Sequence, residues 1–329
     1  MLYIHNKSND PYFNMACEEY IFKHVDEDVF MLWQNHNTIV VGKNQNTIEE
    51  IEYNYVKDND ISVVRRLSGG GAVYHDMGNV NFTFVTKYNE NFFSEFDYFT
   101  KPVIDTLDCL GIKAEQQGRN DISIDGRKFS GNSQVVCKGR ILHHGTIMID
   151  VNKDILSKAL YVKPSKIESK GIKSVRKRVT NINEHLESKV DPLDFIGILS
   201  KYIKSYIEDI NDYEFSDSDL NHINNLVDSK YKTWEWNYGN SPEYNIRKEI
   251  SIPAGKLDVI LEINNGYIKN AKIFGDFFGI KDVDEIAQKL VGAKHDKKEI
   301  SELLKSFDIS NYVYSINEDN VHILIDGLF

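Results

Sequence analysis

"RRLSGGGAVYHDMGNVNFTF", running from Arg65 to Phe84, decides between the fold classes open to this chain. Gly69, Gly70 and Gly71 stand between an arginine pair and a His75-Asp76 turn, and strand-forming residues follow at once. Bare backbone beside cations suits an anion. Glycine lets peptide N–H groups approach closely, Arg66 offers a planar donor fork, and Ser68 adds a hydroxyl. The two standard phosphate loops do not fit. A Walker loop needs G-x-x-x-x-G-K-[ST], whereas Gly71 continues into Ala72-Val73-Tyr74. A dinucleotide fingerprint needs G-x-G-x-x-G opening a helix, and here a turn and a strand come next. On its own, the triplet fits a tight turn with positive φ equally well.

Outward from this loop, "VFMLW", "TIVVG", "ISVVRRL" and "NFTFVT" read as short strands. Asp10 and Pro11 start a helix with Phe13, Cys17, Tyr20, Ile21 and His24 on one stripe, and "DYFTKPVIDTLDCLG" reads as another ending at Gly111. "DISIDGRKFSGNSQVVCKGRILHHGTIMIDV" reads as strands joined by turns at Asp125-Gly126 and Lys138-Gly139. Pro192 opens an amphipathic helix, and "DSDLNHINNLVDSK" is a further one. Strands and helices interleave without a steady βαβ rhythm, which predicts an α+β fold. Near "WEWNYGNSPEYN" the pattern changes to a linker, followed by an Asn265-Gly266 hairpin signal and the helices "VDEIAQKLVGA" and "KEISELLKSF" of a small second domain.

Composition narrows the function. A formal net charge of −11 argues against general nucleic-acid binding, so any polyanion must be met locally. The amino terminus lacks a signal-peptide pattern, and no apolar run reaches membrane-spanning length. Cys17, Cys109 and Cys137 are too scattered for a disulfide framework, and no C-x-x-C pair suggests zinc. A cytoplasmic address is the expectation.

Three more stretches carry chemistry. "GRNDISIDGRKFSGNSQ" sets Arg119, Asn120, Asp121 and Lys128 around a hairpin. Lys128 reads either as a snorkelling surface cation or as a point charge facing a phosphoryl or carboxylate oxygen. His143 and His144, adjacent on a strand, point to opposite faces and do not bind one metal together. Packing and hydrogen bonding suit His144. Lys163 to Arg178 carries seven basic residues against Glu168, either a solvated loop or a flap over polyphosphate.

Taken in order, "FNMACEEYIF", "VVGKNQN", "RRLSGGGAVYHDMGNVNFTF", "GRNDI", "GRKFSGN", "HHGT", "KGIKSVRKRVTN" and "WEWNYG" closely resemble the lipoate-protein ligases. The resemblance implies a catalytic domain of the class II synthetase and biotin-ligase type over residues 1–240, with a mixed or antiparallel sheet, and a small α+β accessory domain over 246–329. It implies activation of lipoate by ATP, with Mg2+ assisting, to lipoyl-AMP and pyrophosphate. Transfer to a lysine of a lipoyl domain follows. The implied partners are 2-oxo-acid dehydrogenase acyltransferase subunits and the glycine-cleavage H protein.

By the same resemblance Lys128 is the catalytic lysine, bridging the lipoate carboxylate and the α-phosphate. Arg66, Ser68, Gly70, Gly71, Ala72, Val73, Tyr74, Asn79, Asn120, Asp121, His144, Gly145 and Thr146 would hold ATP and the adenylate. Lys173, Ser174, Val175 and Arg176 would form an adenylate loop, and Asp121 would meet the metal. Lys128, Val73 and His75 would contact lipoate, with Phe82 and Phe84 as candidate walls that read better as core. Two rivals remain: an ATP-independent octanoyl or lipoyl transferase with a cysteine thioester, and a non-catalytic protein that binds lipoyl domains. Cys17 and Cys109 read as small core residues and Cys137 as an unreactive hairpin position.

Overall fold

The structure, a computed structural model, describes residues 1–45, 47, 50–88, 96–161, 178–238, 246–253, 255–264, 267–295, 297–317, 319–326 and 328. The chain folds as two units, one of residues 1–41, 48–65 and 72–237, the other of 42–47, 66–71 and 238–329. Two short loops from within the 1–240 stretch thus belong with the second unit.

The first unit is built on β1 (Leu2–His5), β2 (Val29–Trp33), β3 (Thr38–Val41), β4 (Ser62–Arg65), β5 (Val73–His75), β6 (Asn79–Lys87), β7 (Glu115–Gln117), β8 (Asp121–Ile124), β9 (Arg127–Cys137), β10 (Arg140–Met148) and β11 (Asn211–Asp212). The large sheet runs β11-β1-β2-β6-β10-β9-β8-β7, and a small one runs β4-β3-β5. β1 pairs in parallel with β2 and β11, while β2, β6, β10, β9, β8 and β7 pair antiparallel, so the sheet is mixed. Asp125-Gly126 and Lys138-Gly139 supply positive φ at both turn positions, 50° with 72° and 49° with 74°, which fixes the register of β8, β9 and β10.

The pleat gives β6 two unlike faces. Val80, Phe82 and Phe84 point one way, into a core with His143, whose ring stacks on Phe99 at 4.6 Å and on Phe82 at 5.8 Å. Phe99 belongs to α3 (Asp97–Cys109), which follows α1 (Pro11–His24) and α2 (Tyr53–Asp58). Asn79, Asn81 and Thr83 point the other way, and Thr83 meets Glu18 of α1. Asp10 caps that helix by accepting from Tyr12 N–H at 2.8 Å.

The expected apolar stripe on α1 needs correction. Phe13 is half-buried and His24 exposed, while Asn14, Glu18 and Glu19 are buried. These polar groups all have partners: Asn14 bonds Asn35, Glu18 bonds Thr83 and Glu19 bonds Tyr231, so hydropathy alone does not mark the inner face.

In the second unit β12 (Ile246–Ile252), β13 (Gly255–Asn264) and β14 (Tyr267–Gly275) form an antiparallel meander. The helices Asp284–Leu290 and Lys297–Leu304 contribute to its core, where Leu257, Leu261, Ile286 and Ile300 are buried. Asn265-Gly266 lies outside the described residues. The borrowed loop 42–47 is fastened into this unit: Gly275 N–H donates to the Asn44 carbonyl at 2.5 Å, and the Lys43 ammonium meets Asp282 at 3.0 Å.

Candidate active site

Lys128 lies near the start of β9, and its ammonium meets Asp121 Oδ1 at 2.6 Å. The side chains are 34% and 37% exposed, open enough for a ligand to reach both. A Cβ on Gly131 would lie 2.7 Å from the Lys128 nitrogen, so the ammonium rests over bare backbone. Thr146, on the next strand, accepts from Gly131 N–H through Oγ1 at 3.1 Å.

The backbone of Lys128 is fixed from far along the chain. Its N–H donates to the Arg178 carbonyl at 2.9 Å, and its carbonyl accepts from Thr180 N–H at 2.8 Å. Glu184 reinforces this bridge by accepting from Asn181 N–H, from Lys153 and, at 3.3 Å, from Arg127. Burial raises the Glu184 carboxyl, but the Lys153 and Asn181 hydrogen bonds and the neighbouring charges outweigh it and hold the group at about 2.

A row of residues crosses the same sheet face away from Lys128. Thr146 on β10 stands opposite Asn81 on β6, which stands opposite Trp33 on β2. Beside that row the Trp33 indole donates to Thr83 Oγ1 at 2.9 Å, and Thr83 donates to Glu18 Oε1 at 2.6 Å. His144 Nδ1 pairs with the same carboxylate at 2.9 Å. The result is a buried polar floor with an ammonium at its outer end.

Several expected site residues share this face: Lys128, Asp121, His144, Thr146 and Asn79. His75 joins them through Trp33, whose ring it meets edge-on at 6.3 Å. Asn120 fastens the strand edge by donating to the Asn132 carbonyl at 2.8 Å. Tyr74 donates to Asn37 Oδ1 at 3.0 Å, Val73 and Ala72 are half-buried, and Phe82 and Phe84 are core. Gly145 points away: a Cβ there would lie 2.2 Å from Asn132 Oδ1 and 2.5 Å from Phe82. Lys173, Ser174, Val175 and Arg176 lie outside the described residues.

The glycine loop belongs to the second unit. Arg66 is buried and turned onto its own loop, with Nη2 donating to the carbonyls of Gly69 at 2.6 Å and Gly71 at 2.8 Å. Nε donates to Ser68 Oγ at 3.1 Å. Gly70 supplies a φ of 92°, and Gly69 admits the Phe277 carbonyl, 2.2 Å from where a Cβ would be. Beside Gly71 the space is open. In the first unit Arg65 is held by the motif read as a linker: Trp236 Nε1 donates to its carbonyl at 2.9 Å, and its N–H donates to Asn237 Oδ1 at 3.0 Å. Trp236 and Asn237 are therefore part of the first unit's packing.

The sequence reading left Glu18, Trp33, Asn81 and Thr83 without a role. The one local signal was the Glu18-Glu19 pair between the apolar runs Met15-Ala16-Cys17 and Tyr20-Ile21-Phe22. Among the cysteines, burial pushes the Cys17 thiol well up, and Cys137 is exposed. Cys109 is exposed too and is not core. The buried side of α3 runs through Phe99, Val103, Thr106 and Leu107, and the helical period leaves position 109 facing water. Among the described residues no cluster of three or more His, Cys, Asp or Glu could hold a metal, and no helix is long and apolar enough to cross a membrane.

Residues 10–204 match the family described as Lipoyl protein ligase A/B catalytic domain, and residues 241–325 match Bacterial lipoate protein ligase C-terminus. The chain is 46% identical to lipoate-protein ligase LplJ of Bacillus subtilis over 325 residues, 97% of this chain and 98% of that one. It is similar to the structure of Plasmodium falciparum LipL1 in complex with lipoate, with a TM-score of 0.78 and 27% identity over 98% of this chain and 96% of that one. Lipoate-protein ligase A bound with ATP gives 0.63 and 26% over 72% and 98%. The bipartite ligase of Thermoplasma acidophilum, studied with its E2 lipoyl domain, gives 0.64 and 27% over 74% and 98%.

Proposed function

The chain belongs to the lipoyl protein ligase A/B family, and from that premise we propose that it joins lipoate to protein lysines in two steps driven by ATP. The observation that carries the reading is the Lys128 ammonium, held over the Gly131 backbone beside Asp121 and fixed through both of its backbone polar groups.

In the first step a lipoate carboxylate oxygen attacks the α-phosphorus of ATP. The bond from that phosphorus to the bridging oxygen breaks, and pyrophosphate leaves. Two anions must meet, and the Lys128 charge neutralises the repulsion as the new bond forms. By the family resemblance the phosphates fall to the backbone of residues 72–74 in the first unit and to Arg66 with Gly71 in the second, where the guanidinium already orders the loop through the Gly69 and Gly71 carbonyls. Magnesium in nucleotide sites is held by one or two carboxylates together with the phosphates themselves. Asp121 suits it as a hard oxygen ligand, one of its oxygens already engaged by Lys128.

In the second step the ε-amine of the acceptor lysine attacks the acyl carbon, AMP leaves with the electron pair of the broken anhydride bond, and the amine loses a proton. That amine starts as an ammonium with an ordinary pKa of about 10.4, so one proton leaves before the attack, for which Asp121 is the carboxylate at hand, and the second leaves to the departing AMP phosphate or to water as the amide forms. The acceptor is a lipoyl domain of a 2-oxo-acid dehydrogenase acyltransferase or of the H protein, and the reaction belongs in the cytoplasm with these partners.

A cysteine-thioester transferase is disfavoured. Cys17 is buried, and Cys137 lies six residues along β9 from Gly131, roughly 20 Å at strand rise. A variant with all three cysteines changed to alanine should keep lipoate-dependent pyrophosphate release within about threefold of the parent, the range of ordinary mild substitutions. With a lipoyl domain added, release should continue over many turnovers. Release that vanishes in the cysteine-free protein while it remains folded would transfer the chemistry to a thiolate, and a parent releasing no pyrophosphate would leave only a binding protein.

A further inference from the structure

We infer that Asn81 is a specificity-determining residue that favours lipoate over plain saturated acids such as octanoate, an inference that rests on the function proposed above. Asn79 Nδ2 donates to Asn81 Oδ1 at 2.9 Å, and the pair's other polar atoms, Asn79 Oδ1 and Asn81 Nδ2, are buried without a hydrogen-bond partner. Turning both amides over moves the unmet donor to Asn79 and the unmet acceptor to Asn81, so the pair keeps one of each either way. Both residues are 1% exposed. Buried polar atoms are nearly always paired, so an unmet pair on the substrate face is built for something that arrives.

The geometry of the row says what arrives. Beyond Lys128 on one side the sheet ends at β7, where Glu115 and Gln117 are exposed. An apolar chain whose carboxylate sits at the ammonium is therefore buried only by running inward, past Thr146 towards Asn81 and Trp33. Gly131, Thr146 and Asn81 lie on three adjacent strands, which puts Asn81 about 10 Å from Gly131. That is the span of an extended octanoyl chain. Lipoate carries its dithiolane there, and sulfur accepts a weak hydrogen bond from an amide N–H. Octanoate carries only methylene and methyl groups, which leave the amide donor of the pair unmet.

The test compares kcat/KM for lipoate and for octanoate in ATP-dependent pyrophosphate release by the parent and by Asn81→Leu. The ratio should shift towards octanoate by about tenfold, in the range one altered pocket contact commands, with KM for ATP unchanged. A ratio unchanged within about twofold, as when an ordered water serves the amide pair, would overturn the inference. So would a change confined to KM for ATP, which would turn the pair towards the nucleotide. Calorimetric binding of each acid to the parent, to Asn81→Leu and to the milder Asn81→Ala reads the same preference without turnover. It still decides the inference if the leucine variant fails to fold or if the parent releases no pyrophosphate, an outcome that would sink the ligase reading separately.

Discussion

Lys128→Met should remain folded yet form acyl-adenylate about 10²–10³-fold more slowly, the usual loss when one preorganised charge is removed from a developing anion. Folding should survive because the Lys128–Asp121 pair is about a third exposed on each side, and such pairs contribute about 0–1 kcal/mol. The bridge between Lys128 and the segment at Val179 is made by backbone atoms and outlasts the side chain. The effect is thus expected in chemistry rather than in fold. A thermal melt should stay within a few degrees of the parent, while single-turnover formation of lipoyl-AMP collapses. Arginine should restore little, because a planar fork does not replace a compact charge seated over Gly131. Transfer from preformed lipoyl-AMP should suffer less than activation, since the anhydride no longer requires two anions to approach. A methionine variant making adenylate at the parental rate would remove Lys128 from the mechanism.

The sequence made some of this legible and hid the rest for physical reasons. Asp125-Gly126 and Lys138-Gly139 could be read because a two-residue hairpin needs positive φ at both positions, and few residue pairs supply it. The order β8, β9, β10 and the opposite facing of His143 and His144 followed from those turns and from strand alternation. The row Trp33, Asn81, Thr146 could not be read, since its members come from strands distant in sequence and meet only through register. Apart from the Glu18-Glu19 pair, nothing local marked Glu18, because the partners that satisfy its buried carboxylate, Thr83 and His144, come from distant strands. Arg66 reads as a planar donor fork for an anion, and nothing in its neighbours' identities announces that the Gly69 and Gly71 carbonyls turn back upon it.

Gly145 and Gly131 show how the two faces of one sheet give the same substitution opposite consequences. Gly145→Ala drives a methyl to within 2.2 Å of Asn132 Oδ1 and 2.5 Å of the Phe82 ring. Phe82 is fully buried, and Asn132 Oδ1 sits 3.3 Å from His143 Nε2, itself stacked on Phe99. Nothing there can give way without moving a strand or an aromatic ring, so overpacking should destabilise the protein by about 1–3 kcal/mol or somewhat more. The measurement is a denaturant melt, in which the midpoint falls and the slope is kept. Gly131→Ala places its methyl 2.7 Å from the end of a flexible lysine, which can swing aside at little cost to the fold. Its melt should barely move, but the ammonium is displaced from its seat, and a shift of about 1 Å in a catalytic group can cost about 10²-fold. If Gly145→Ala unfolds the protein easily while Gly131→Ala only slows activation, the core-facing and substrate-facing sides are as assigned. Equal melts for the two variants would mean that the face behind Phe82 is not packed as described, and that Gly145 is free to contact the adenylate through more than its backbone.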